Sequence, residues 1–176
     1  MDLSRATHPS PYDFLPPVPS FTVTSEDITE GAPLPKRIVH DSAGGENLSP
    51  QLSWSAFPEA TKSFAITLYD PDAPTGTGWW HWQVVNLPAD LTSLPRGAAR
   101  GGLPASAVEF RTDYGTSGYQ GAGPPPGDQT HHYYLAVHAL EVEHLDLTPD
   151  TTNAVVGFHL TAHTLARGVI VGTYQH

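Results

Sequence analysis

The chain has 176 residues, with 8 Lys and Arg against 18 Asp and Glu and a formal charge of −10. That length suits one domain with a core large enough to fold unaided, and the acidic balance argues against nucleic acid as a partner. Cysteine is absent, which removes disulfides, thiolate metal sites and a cysteine nucleophile together.

Residues 1–19 carry Pro9, Pro11, Pro16, Pro17 and Pro19, with Tyr12, Phe14 and Leu15 between them. Such a segment cannot be a helix or a central strand. It is expected to be an extended N-terminal arm, either disordered or laid over a surface by its apolar residues, and it is a candidate link in a homodimer. Residues 20–176 are expected to form a single domain. No apolar run of signal-peptide length lies in residues 1–20 and none approaches a membrane span, so the chain reads as soluble, cytoplasmic and without an integral membrane segment.

Short strands are predicted at 21–25, 37–40 and, after the Gly44-Gly45 turn, 51–54, with Trp54 and Phe57 in the core. The strongest strand signals are 63–69, 80–87 and 132–140. A Gly- and Pro-rich connection from 94 to 130 precedes the last of these, and its length points to function or disorder. A helix is predicted to start at Thr148-Pro149-Asp150 and stop near Gly168, with Val155, Phe158, Ala162, Leu165 and Ala166 facing the sheet. A final strand, 169–174, closes a predominantly β sandwich with a helix packed near its end.

Several chemical motifs are missing. Ser117, in Gly115-Thr116-Ser117-Gly118-Tyr119, lacks the second glycine of a nucleophile elbow. No glycine-rich loop ends in Lys followed by Ser or Thr, which leaves nucleotide-binding folds unsupported. His159 and His163 have helical i, i+4 spacing but no third ligand, so a solvated helix face is the better reading than a metal site. His131 and His132 are adjacent on a strand and point to opposite faces.

What remains is a constellation at two strand ends. Asp70-Pro71-Asp72-Ala73-Pro74 follows the alternation Phe64, Ile66, Leu68, which puts the Asp70 carboxylate where the core-facing side runs out. It needs a partner there, and His81, in Trp79-Trp80-His81-Trp82, is the nearest in sequence. A second block, Gly121-Ala122-Gly123-Pro124-Pro125-Pro126-Gly127, leads into a strand on which His131 and Tyr133 share a face with Leu135, Val137 and Ala139. From the residues alone, a buried structural network explains these groups about as well as a site.

These blocks resemble the phosphatidylethanolamine-binding proteins, in particular their bacterial Raf-kinase-inhibitor-like branch, and look closest to the actinobacterial members. Ser49-Pro50-Gln51-Leu52-Ser53-Trp54 and Gly172-Thr173-Tyr174 also fit, so that the likeness covers roughly residues 20–174. It implies a sandwich of two antiparallel sheets with peripheral helices. It further implies a pocket for phosphate, a phosphorylated head group or another small anion, lined by Asp70, Asp72, His81, Gly121, Gly123, Pro124, Pro125, His131 and Tyr133. No cofactor or metal is implied, and a kinase or protease is a possible protein partner. On this reading Asp70 orients a histidine and raises its pKa, and the small glycines let backbone amides approach an oxyanion. The alternative is an enzyme using His81 or His131 as acid/base with Asp70 as orienter. The sequence departs from the family at His132, where most members have arginine, and at Gly123, where many bacterial members have cysteine. It also ends at His176 without the C-terminal helix of eukaryotic members, which weakens any inference of kinase regulation.

Overall fold

The computed structural model describes Leu3 and residues 5–176. Two antiparallel sheets form a sandwich. The smaller has the order β1 (Thr22–Thr24), β2 (Leu52–Ser55), β5 (Ser93–Leu94); the larger has the order β6 (Val108–Glu109), β4 (Trp79–Pro88), β3 (Ser63–Asp70), β7 (His131–Leu140), β8 (Thr164–Tyr174). Short 3₁₀ turns lie at Pro11–Phe14, Lys36–Ile38, Asp41–Ala43 and Ala98–Arg100, and α1 (Asn153–His163) is the single α-helix among the described residues.

Period two in the long strands explains the sandwich. Phe64, Ile66 and Leu68 of β3 and Tyr133, Leu135, Val137 and Ala139 of β7 face the small sheet, packing with Leu52, Trp54 and Leu94. Trp54 is buried as expected, and its ring meets Phe64 edge-on at 5.4 Å. Asp27 ties the stretch after Leu94 to this layer: its carboxylate accepts from Arg96 Nε at 2.8 Å and from the Gln51 amide at 2.8 Å. The first part of the long connection is thus packed structure.

The outer face of the large sheet is covered in two halves. Over one half, Val156 and Leu160 of α1 join Ala65, Val85, Phe110 and Leu140 in a second apolar cluster. Over the other lies the N-terminal arm, whose Tyr12 packs against Tyr134 and His138 at 6.4 and 6.2 Å, with the Arg167 guanidinium 4.3 Å from its ring. Of the arm's apolar residues, Tyr12 therefore rests on the chain's own sheet, while Phe14 and Leu15 stay exposed.

Three expected elements differ. The helix is shorter than its pattern, because Leu165, Ala166 and Gly168 belong to β8, which pairs with β7 from Thr164 to Tyr174. A continuous ladder satisfies more backbone than another helical turn would, so tertiary pairing overrides the local signal. The helix also starts later, at Thr152–Asn153, which turns Val156 and Leu160 inward and leaves Val155 and Phe158 exposed. The strand expected at 37–40 is a 3₁₀ turn followed by one bridge, Val39 to Ala122.

Gly168 is an interior strand residue rather than a helix stop. A Cβ there would lie 2.4 Å from Val23 Cγ2 and 2.8 Å from the Phe21 carbonyl oxygen, so the approach of β1 to β8 requires its absence. Gly168→Ala is expected to lower unfolding free energy by about 1–3 kcal/mol, as overpacking does. An unchanged urea midpoint would show that the two strands part without cost.

Candidate functional site

The β3–β4 register builds the site. Leu68 stands opposite Trp82, and Tyr69 opposite Trp80, which makes His81 an extra, bulged residue in β4. A bulge breaks the alternation, so that His81 and Trp82 both turn to the inner face while Trp80 stacks outside against Tyr69, ring centroids 4.4 Å apart. His81 thereby comes to the same sheet end as Asp70 and His131.

There a cavity of about 270 Å³ is lined by Asp70, Ala73, Pro74, Thr75, Trp79, His81, Tyr114, Gly123, Pro124, Pro125 and His131. Six of the nine expected site residues are among these: Asp70, His81, Gly123, Pro124, Pro125 and His131. Tyr133 packs against His81, centroids 5.2 Å apart, with its hydroxyl buried and unpartnered. Asp72 and Gly121 lie off the cavity. Asp72 Oδ1 accepts from the His8 amide, and Oδ2 from the amide and Nδ1 of His132 at 2.9 and 2.7 Å. Those bonds hold its carboxyl below its ordinary value although burial pushes it up. His131 and His132 point oppositely, as the strand period requires.

At both glycines an added Cβ would clash, and at Gly121 the amide is already engaged, contrary to the expectation that it is open to an oxyanion. The Gly121 amide already donates to Asn47 Oδ1 at 2.7 Å, and a Cβ on Gly121 would sit 2.4 Å from the Ile38 carbonyl oxygen. At Gly123 a Cβ would be 2.9 Å from the Tyr114 hydroxyl. Gly123 thus makes room for a cavity-lining ring.

The partner of Asp70 is His131, not His81. Asp70 Oδ2 accepts from His131 Nδ1 at 2.7 Å, while His81 Nε2 stays 4.0 Å away. Asp70 Oδ1 accepts from the Asp72 amide at 2.8 Å, a local turn that stiffens the Pro-flanked loop. The other nitrogen of His131, Nε2, lies 3.0 Å from Asp128 Oδ2. Between two carboxylates both nitrogens are donors, which describes an imidazolium. Burial pulls the His131 pKa down, but the bonds and charges of Asp70 and Asp128 outweigh it and the net shift is upward.

His81 is the opposite case. Its Nδ1 is 3.0 Å from the carbonyl oxygens of both Gln120 and Gly121, which fixes that nitrogen as the donor, and Nε2 has no partner. Burial lowers its pKa against the weaker pull of Asp70. His81 is therefore neutral, and the histidine that Asp70 orients and raises is His131. The cause is the bulge, which leaves His81 too far from the carboxylate for a hydrogen bond. Burial also raises the hydroxyl pKa of Tyr133 well above its ordinary value and takes Tyr114 to about 12.

Trp79 and Tyr114 were missed as cavity residues, and Asp128 as the second carboxylate on His131. Trp79 Nε1 is buried without a partner. Its place opposite Asp70 was hidden by the bulge; Asp128, three residues before His131, was accessible to a search for carboxylates near that histidine. Tyr114 carries no sequence signal, since it arrives from an irregular loop. His159 and His163 stack on the helix at 6.4 Å, and no group of metal-binding side chains suited to an ion occurs among the described residues.

A β-sandwich of unequal antiparallel sheets, with a small acid- and imidazole-lined cavity at the strand ends, is the class of protein that this geometry defines. A family model described as "Phosphatidylethanolamine-binding protein" matches residues 24–175, and the chain belongs to that family. It is 47% identical over 155 residues to YbhB of Escherichia coli K12, covering 86% of this chain and 98% of that protein. The solved structure of E. coli YbcL, described as a member of the mammalian PEBP family, shares 47% identity at a TM-score of 0.86, covering 89% of this chain and 99% of that one. A PEBP homologue from Chlamydia trachomatis matches at 30% identity and a TM-score of 0.76, covering 89% and 98% of the two chains.

The carboxylate of Asp128 is held down to about 2, chiefly by its bond from Arg5 and further by His131. A depressed folded-state pKa contributes stability that is full above the unfolded value of about 4 and is lost as pH falls through about 2. Asp128→Asn should accordingly flatten the fall of the urea midpoint between pH 5 and pH 2. An acid limb as steep as wild type would remove Asp128 from the linkage.

Proposed function

We propose that the cavity binds a small anion or phosphorylated head group, and that the protein is a binding or regulatory module. The observation that carries this reading is that two residues lining the cavity hold a buried polar atom without a partner, Trp79 Nε1 and His81 Nε2, with the buried Tyr133 ring packed beside His81. Indole N–H is a donor only, and a phenol held protonated can donate as well. Leaving such groups unpaired costs about 1–3 kcal/mol each, so an acceptor-rich ligand is the natural occupant. A phosphoryl group supplies several oxygens, and about 270 Å³ leaves room for a short substituent such as ethanolamine.

His81 makes the binding pH-dependent. The neutral ring offers only a lone pair at Nε2, and an oxyanion placed there favours uptake of a proton. The acid/base reading has less support, because His131 has both nitrogens engaged and His81 is not hydrogen-bonded to Asp70. The partner proposed for the module is a protein such as a kinase or protease, in the cytoplasm. The charge of −10 disfavours nucleic acid.

Calorimetric titration with inorganic phosphate and with phosphoethanolamine tests the site. Wild type is expected to bind more tightly at pH 6 than at pH 8, beyond the ligands' own ionisation, with proton uptake evident on comparing buffers of different ionisation enthalpy. His81→Ala should weaken binding at least roughly tenfold, the loss of one charge-assisted hydrogen bond. Equal binding by the two proteins, or proton release on binding, would overturn the assignment of His81.

A further inference from the structure

The N-terminal arm reaches the cavity wall from the outside. Arg5 Nη1 and Nη2 donate to the two oxygens of Asp128 at 2.8 and 3.0 Å, and Nε and Nη2 both donate to the Asp72 carbonyl. Nη2 also lies 3.2 Å from His131 Nε2. A row of alternating charge results, running Asp70, His131, Asp128, Arg5, with its first two members lining the cavity and its last carried by the arm. The arm is fastened beyond this point by the His8 amide on Asp72 Oδ1 and by Tyr12 on the sheet. Arg5 itself does not line the cavity.

We propose that Arg5 is a positioning residue of the pocket: the arm delivers it to Asp128, where it shares the carboxylate with His131 and tunes how firmly the neighbouring cavity holds an anion. The affinity part rests on the anion reading above, whereas the sharing of Asp128 rests on geometry alone. With Arg5 docked, two carboxylates face two cations. Without it the row carries one excess negative charge, unfavourable to an anion, and the His131 proton becomes the remaining partner of that face of Asp128.

The groups facing His131 are Asp70 from β3, His81 from β4, Asp128 and Tyr133 on its own segment, Tyr114 from the preceding loop and Arg5 from the arm. Arg5 and His131 are like charges that compete for one acceptor, so Arg5 favours the neutral imidazole. Removing it therefore makes His131 hold its proton to higher pH. Loosening of the fold has the opposite effect, since the unfolded value of about 6.5 lies below the raised native one.

The test is Arg5→Met beside Arg5→Lys, in the full chain. The His131 ring is titrated by nitrogen-15 NMR, its signal assigned by its absence in His131→Gln, and phosphate affinity is measured at pH 6 and pH 8. Arg5→Met is expected to shift the His131 titration upward and to weaken phosphate roughly three- to tenfold at pH 6, as expected for one charge near a partly shielded site, with a smaller loss at pH 8. Arg5→Lys should stay near wild type in both. An upward titration shift in a protein that binds no phosphate in any form would support the shared carboxylate and sink the anion reading. A His131 titration unmoved or shifted downward in Arg5→Met would overturn the proposal.

Discussion

The hydrogen bond between Asp70 and His131 is the constraint around which the sheet end is built. It joins β3 to β7 where both strands leave the sandwich, and both side chains are almost fully buried. A buried carboxylate without a partner would cost several kcal/mol, so the strand ends are held in register by electrostatics as well as by the ladder. The loop 71–78 is tied to this pair through the Asp72 amide on Asp70 Oδ1, the segment 121–127 stands across from it, and the cavity is the space between them.

Because Asp70 is committed to His131, the two histidines at the cavity take opposite charge states. His131 lies between carboxylates and keeps its proton. His81 is anchored by backbone carbonyls, which stabilise one tautomer without supplying a compensating charge, and burial makes it neutral. The wall thus combines a charge already balanced with an imidazole nitrogen still free. The same two residue types do different work because their second nitrogens meet different partners.

Much of this was legible in the sequence. The long strands, the side on which Asp70, His131 and Tyr133 stand and the family all follow from period two and from two motif blocks. What could not be read was register. The bulge at His81 is invisible in a one-dimensional pattern, and it decides that His131 rather than His81 meets Asp70. Helix and strand were confused from Thr164 to Gly168 because that stretch has no local preference strong enough to resist pairing with ten residues of β7. Arg5 and Tyr114 come to the site from irregular chain, where spacing carries no information about place.

The two coverings of the large sheet's outer face are chemically unlike. Beneath α1 the surface is dry and apolar, made by Ala65, Val85, Phe110 and Leu140. Beneath the arm it is Thr67, Tyr134, His138 and Arg167, groups that bond with one another and tolerate water. The helix is consequently a permanent roof, whereas the arm is a roof the sandwich can do without: lifting it wets hydroxyls, an imidazole and a guanidinium but opens no part of the hydrophobic core.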